Sequence, residues 1–329
     1  MMADAPLMSV RGLVKSYDIR KGVFERLWSR GAHLVRALND VDFDIARGET
    51  LGLIGESGCG KSTLARVVLQ LQRATAGAVM YDGTDLTRLS HSALRAYRRR
   101  MQIVFQDPFA ALNPRHTTEQ IVGLPLRIHE PRMGARARRD RVASMLERVG
   151  LRAAYLTRYP HQFSGGQRQR ISIARALVAH PELVVCDEAV SALDASIQAQ
   201  ILRLLADLRR DLGLTYLFIS HNIAVVGQVS DRIAVMYLGR IVEIGPARDL
   251  LSEPKHPYTR MLIASVPRVD GGAVPEGPSE PQDPPSPLRP PPGCAFHPRC
   301  PLADGVCREV VPALRTLADG RTVACHLAR

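Results

Sequence analysis

No uninterrupted apolar run in this sequence approaches the roughly 18 to 20 residues that cross a bilayer, so a helical membrane span is not expected. The first residues, MMADAPLMSVRG, lack a basic start followed by an apolar stretch, and no secretory signal is read there. Cysteine is scarce in the main body. Cys59 and Cys186 stand far apart, and the remaining four of the six crowd the last 36 residues, which excludes a disulfide scaffold. There is no C-x-x-C pair, no sustained heptad and no internal repeat, so zinc ribbons, coiled coils and solenoids are set aside.

What is present is 329 residues, 46% hydrophobic and 23% charged, enough for a sizeable core and a length that predicts two domains. Forty-four Lys and Arg against 32 Asp and Glu leave a net charge of +12, which points to an anionic partner: a nucleotide, a nucleic acid or an anionic membrane face. Part of the excess is local, in Arg127, Arg132, Arg136, Arg138, Arg139 and Arg141, and is read as a solvated helix face.

Short apolar runs, LGLIG (51–55), QIVFQ (102–106), LVVCDE (183–188) and TYLFIS (215–220), are bounded by turn residues and read as buried strands of a mostly parallel sheet. Between the last two, Ile197, Ile201, Leu204, Leu205, Leu208 and Leu212 recur at helical spacing and predict a crossover helix. The fold class is therefore α/β. Residues 116–158 are Arg-rich without comparable strands and suggest an inserted helical subdomain, placed at about 110–165. Nine prolines between 275 and 292 mark an extended linker. The expected organisation is a nucleotide-binding domain over 1–250 and an extension over 251–329, ending in a cysteine tail at 293–329.

Residues Gly55 to Thr63 read GESGCGKST, matching G-x-x-x-x-G-K-[ST] after a strand and before a helical pattern. Such a loop turns its backbone N–H groups inward around the β- and γ-phosphates of a nucleotide. Gly55, Ser57, Gly58, Cys59, Gly60 and Thr63 form the cradle, Lys61 is a point charge on the phosphates, and Ser62 is a ligand of Mg²⁺. The strand LVVCDE ends in two carboxylates that alternate in direction. Asp187 is expected to hold Mg²⁺ and Glu188 to polarise the attacking water. The expected chemistry is ATP hydrolysis.

The string FSGGQRQRISIARAL, from Phe163 to Leu177, resembles the signature of the ATP-binding cassette (ABC) family. The resemblance implies a head-to-tail dimer in which Ser164, Gly165, Gly166 and Gln167 of one subunit close over the nucleotide held by the loop of the other. It further implies that Tyr17 stacks on adenine and that Gln106 senses the γ-phosphate and contacts Mg²⁺. Asp194, in the run SALD, would communicate across the dimer, and His221 would hold the γ-phosphate and the attacking water. Two positions depart from the family pattern: Ala189 follows the catalytic Glu where Pro is common, and Asn222 follows His221 where Asp is common.

The insertion at 18–38, the stretch HPYTRMLIASVP (256–267) and the cysteine tail look like the ATPase subunits of oligopeptide and dipeptide importers. Nickel and glutathione importers share this architecture, and a DNA-repair ABC ATPase is the alternative from another class. Peptide-importer membership implies a heterodimer with a second, related ABC ATPase on two transmembrane permease subunits, fed by an extracytoplasmic binding protein. The place implied is the cytoplasmic face of the inner membrane, with no nucleic acid as partner. Spacing alone would make Cys294, Cys300, Cys307 and Cys325 a generic metal site. The resemblance moves the expectation to a 4Fe–4S cluster, with zinc or plain thiols as alternatives and His297 and His326 as the next ligands.

Overall fold

The computed structural model describes residues 5–18, 34–265, 285–286 and 288–328. Most of the insertion at 18–38 and most of the proline-rich segment 275–292 therefore lie outside the described residues. In chain order the strands are β1 (Met8–Asp18), β2 (Leu34–Ile45), β3 (Thr50–Ile54), β4 (Ala76–Tyr81), β5 (Thr84–Asp85), β6 (Met101–Val104), β7 (Leu183–Asp187), β8 (Thr215–Ile219), β9 (Arg232–Tyr237), β10 (Arg240–Pro246), β11 (Arg315–Thr316) and β12 (Thr322–Val323). They fall into two compact units.

One unit is built chiefly from Ile45–Thr50 and Arg88–Ser220. Strands β6, β7 and β8 pair in parallel, with Ile103 opposite Val185 and Val185 opposite Leu217. Every residue of β7 and β8 is buried, as expected of strands covered on both faces. Helix Ala195–Leu212 connects them and buries Ile201, Leu202, Leu205 and Leu208, close to the predicted stripe. It stops at Gly213, whose φ of 64° suits a left-handed cap. The Arg-rich stretch forms helices Thr118–Val122, Leu124–His129 and Ala135–Arg148. On it, Arg139 lies 3.3 Å from Glu119 and Arg141 lies 3.6 Å from Glu130, while Arg132 and Arg136 are exposed.

The other unit gathers Leu7–Asp44, Leu51–Thr87 and His221–Arg329. It holds a four-stranded sheet in the order β2-β1-β4-β5, with β1/β4 and β4/β5 antiparallel. It also holds β3 parallel to β9, with Leu53 opposite Ala234. Strands β9 and β10 form a hairpin whose two turn residues, Leu238 and Gly239, have φ of 42° and 76°, as a type I′ turn requires. Strand β12 adds to β10, and β11 to β12, both antiparallel. Strand pairing is thus mixed where a mostly parallel sheet was predicted. The apolar runs mark only the parallel strands, whereas the antiparallel pairing of β9 and β10 is set by the tight turn after Tyr237.

Candidate functional site

Strand β3 delivers the chain into Gly55–Thr63, and helix Lys61–Val68 follows at once. The loop closes by backbone approach. A Cβ on Gly55, where φ is +153°, would stand 2.2 Å from the Met236 carbonyl oxygen; one on Gly60, where φ is +113°, would stand 2.4 Å from that of Ala37. Only glycine meets both conditions at either position. Lys61 is 5% exposed, and its Nζ donates to the carbonyl oxygens of Gly55 at 2.7 Å and Glu56 at 2.8 Å. The helix begins without a side-chain cap, so its positive end opens on the loop. Ser57 and Gly58 are exposed, and Ser62 and Thr63 are half-buried on the first turn. A backbone cradle beside a buried ammonium fits phosphate groups. Cys59 is a packed thiol: burial raises its pKa although Lys61 opposes the shift.

In the same unit, Tyr17 lies near the end of β1, its hydroxyl bonded to Gln72 Oε1 and its ring 5.0 Å below the Lys15 ammonium. His221 is exposed. Asn222 caps helix Ile223–Val229 by accepting from the Val225 N–H at 3.3 Å. Asparagine fills that position as well as aspartate would, which accounts for the departure noted there.

The other unit carries the remaining motif residues. Gln106 is exposed just beyond β6. Asp187 closes β7 and is buried. Glu188 follows with φ of 50°, uncommon for a residue with a side chain. Its backbone is pinned by the Glu188 N–H to Ile219 carbonyl bond at 2.9 Å and by Ser191, whose N–H and Oγ both donate to the Glu188 carbonyl at 3.1 and 3.0 Å. Burial pushes the neighbouring Cys186 thiol up to about 12, so it is inert. Ser164 caps helix Gly165–Leu177 in a reciprocal capping box with Gln167. Asp194 caps Ala195–Leu212, accepting from Ile197 N–H at 3.0 Å and Ser196 Oγ at 2.8 Å, and these bonds lower its pKa.

The family described as ABC transporter matches residues 38–191, and that described as oligopeptide/dipeptide transporter, C-terminal region, matches 242–307. A "probable peptide ABC transporter ATP-binding protein" of Sinorhizobium fredii is 51% identical over 99% of this chain and 91% of its own length. This chain belongs to the oligopeptide/dipeptide branch of the ABC transporter family. The oligopeptide transport ATP-binding protein AppF of Bacillus subtilis is 46% identical, and the dipeptide transport ATP-binding protein DppF of Haemophilus influenzae 45% identical, each over 98% of this chain and 97% of the relative. Among solved structures, a dimeric ATP-binding cassette in a post-hydrolysis state with ADP and Pi aligns with a TM-score of 0.64 at 30% identity, over 73% of this ABC protein and 99% of the other chain. The fold is that of an ABC ATPase cassette.

The tail of this ABC protein packs within the unit that carries the phosphate loop. Phe296 is buried, with its ring centroid 5.4 Å from those of both Tyr237 and Tyr258 and 5.9 Å from that of His256. Among the described residues no three His, Cys, Asp or Glu are grouped to hold a metal ion. Cys325 packs in a small core with Val323 and Ala328, and the Cys307 N–H donates to Asp304 Oδ1 at 3.1 Å. Burial raises the thiol pKa of Cys294, Cys300 and Cys307, and neighbouring thiols add to the rise: Cys325 and Cys300 at Cys294, Cys325 at Cys300, and Cys294 at Cys307. The Cys294 N–H also donates to the Cys307 carbonyl at 2.8 Å, so the four cysteines share one neighbourhood.

Sequence reasoning passed over three residues that touch the phosphate loop: Glu56 within it, and Tyr258 and Arg299 from the extension. Tyr258 Oη accepts from the Glu56 N–H at 2.9 Å, and Arg299 donates to both Glu56 carboxylate oxygens. Tyr258 sits in the string HPYTR, whose resemblance marks the branch but carries no sign of what its tyrosine binds.

Proposed function

We propose that this protein binds and hydrolyses ATP to power import of di- or oligopeptides through a membrane permease. The observation that carries the reading is the phosphate loop with Lys61 buried against the carbonyls of Gly55 and Glu56, in a chain similar over nearly its whole length to peptide-transporter ATP-binding proteins. Lys61 exchanges those carbonyl contacts for β- and γ-phosphate oxygens when the nucleotide arrives, and the cradle Gly55–Thr63 supplies backbone donors. Tyr17 stacks on the adenine. Ser62, Gln106 and Asp187 are the residues for Mg²⁺, which when bound draws charge from the phosphate oxygens. Glu188 takes a proton from the attacking water, and His221 orients that water and the γ-phosphate. Ser164, Gly165, Gly166, Gln167 and Asp194 act on the nucleotide of a partner subunit.

The organisation that accompanies this reading is a nucleotide-binding domain over 1–250 with a helical subdomain at about 110–165, and an extension over 251–329 with its linker and cysteine tail. The partners are a second, related ATPase and two permease subunits, at the cytoplasmic face of the inner membrane. Among the described residues no helix is long and apolar enough to cross a membrane, so the permease supplies the spans. The iron–sulfur expectation rests on sequence resemblance alone. Iron, acid-labile sulfide and zinc analysis after anaerobic purification, repeated on Cys300→Ser, decides what the tail holds.

The test is uptake of labelled peptides by cells deleted for this chain and complemented with it or with Glu188→Gln. Wild type restores uptake, while the variant binds ATP yet restores none and hydrolyses at least about a hundredfold more slowly. Peptide uptake unaffected by the deletion would remove the transport assignment, and normal turnover in the variant would remove Glu188.

A further inference from the structure

Glu56 is the one acidic side chain in the phosphate loop, and all of its polar groups are engaged. Its N–H donates to Tyr258 Oη at 2.9 Å, its carbonyl accepts from Lys61 Nζ at 2.8 Å, and its carboxylate is gripped by Arg299. That grip is bidentate: Arg299 Nη1 lies 2.9 Å from Oε2 and Nη2 2.8 Å from Oε1. The pair is 243 residues apart in sequence, and the arginine side chain is 10% exposed. Its guanidinium is itself fixed, 5.9 Å from the ring centroid of Tyr237 and 5.8 Å from that of Phe296, with Nη2 3.6 Å from Met261 Sδ. Two of the three anchors on Glu56 therefore come from the extension.

We propose that Arg299 is a positioning residue of the nucleotide site, acting through Glu56 to hold the phosphate loop in its binding shape. The proposal rests on the ATPase reading and adds that the C-terminal extension is part of the nucleotide site. Two physical effects support it. A loop whose glycines reach positive φ, with Ser57 and Gly58 exposed, samples other shapes unless it is tied down, and ordering it in advance removes that entropy from binding. A carboxylate beside a triphosphate also repels it, and the bidentate arginine neutralises that charge where it stands. Arg299 touches neither the phosphates nor the water, so its effect belongs in nucleotide affinity and not in the chemical step.

The experiment measures affinity for a non-hydrolysable ATP analogue with Mg²⁺ by calorimetry on the full chain, together with KM and kcat for ATP. Arg299→Ala is expected to weaken binding about tenfold and to raise KM in proportion while kcat at saturation stays within about twofold. Arg299→Lys, which keeps charge without the fork, falls between the two. Because the arginine acts through Glu56, Arg299→Ala combined with Glu56→Gln binds no more weakly than Arg299→Ala alone. Arg308→Ala, exposed on the same tail, serves as the unaffected control. If Arg299→Ala does not fold, Arg299→Gln keeps much of the side chain without the charged fork and is expected to weaken binding at least about threefold. Affinity unchanged in folded Arg299→Ala or in Arg299→Gln, or losses that multiply in the double variant, overturn the proposal. Wild-type protein that binds no ATP analogue would instead sink the ATPase reading itself.

Discussion

Gln169 Nε2, on the helix that begins with the ABC signature, donates a 2.6 Å hydrogen bond to the carbonyl of Ala189, the residue after Glu188. Both residues are buried. The signature helix and the turn carrying the candidate catalytic acid are thereby tied within one unit. The tie meets the chain at Ala189, where other family members commonly have proline.

Replacing Gln169 with leucine leaves the buried Ala189 carbonyl without that donor. The expected cost is about 1–3 kcal/mol of stability, read as a lowered urea midpoint. Since Glu188 already sits at φ of 50° and depends on its surroundings to stay there, hydrolysis should fall while nucleotide affinity holds. Unchanged turnover with lowered stability would make the contact structural only.

The two signature glycines should separate stability from activity. A Cβ on Gly166 would stand 2.6 Å from Ile197 Cγ2, a stiff β-branched methyl, whereas one on Gly165 meets nothing nearer than Leu193 Cδ2 at 3.9 Å. Gly166→Ala should destabilise by about 1–3 kcal/mol through overpacking. Gly165→Ala should fold as wild type and, on the proposed role of Gly165 at a partner's nucleotide, lose activity only in the assembled dimer. Equal melting temperatures for the two variants would contradict the packing argument.

Lys61→Ala removes the donor shared by the Gly55 and Glu56 carbonyls as well as the charge meant for phosphate. Affinity for Mg-ATP should drop by about tenfold or more, measured by equilibrium binding on protein with an unchanged circular dichroism spectrum. Retained affinity would show that the ammonium serves the loop and not the nucleotide.

The nucleotide motifs were legible in the sequence because each is a short run whose chemistry depends on local backbone shape: a glycine turn before a helix, two acids ending a buried strand, a serine cap. The apolar runs likewise marked β3, β7 and β8, whose residues are all buried, and β6, whose Gln102 and Ile103 are half-buried. What could not be read was contact between distant segments. Nothing local marks Arg299 as the partner of Glu56, and HPYTR gives no sign that Tyr258 would reach the phosphate loop. The cysteine tail is a case of the same kind. Four thiols in order suggest a cluster, but their spacing does not say that Cys325 would pack on Val323 and Ala328 or that the Cys294 N–H would meet the Cys307 carbonyl.

The HPYTR string also predicts a pH dependence. His256 is buried, and its Nδ1 accepts from the Tyr258 N–H at 3.0 Å, capping helix Pro257–Ala264, so the ring must be unprotonated there. Burial is the main cause that lowers its pKa from 6.5 to about 4, with a hydrogen bond to the Ala324 backbone opposing and Arg260 assisting. A histidine whose folded pKa is depressed contributes stability that is fully present above 6.5 and is lost as pH falls from 6.5 toward about 4, because the unfolded chain takes up the proton first. Across that window stability should fall by about 1.4 kcal/mol per pH unit from this group. His129 and His180 are also lowered, so the difference between wild type and His256→Asn isolates the effect. Asparagine keeps a cap acceptor and cannot titrate, and its urea midpoint should change less between pH 7 and pH 4.5 than that of wild type. Acidification should also release Tyr258 from Glu56 and weaken nucleotide binding in wild type more than in the variant. Identical pH profiles for the two proteins would show that His256 does not govern the docking of the extension.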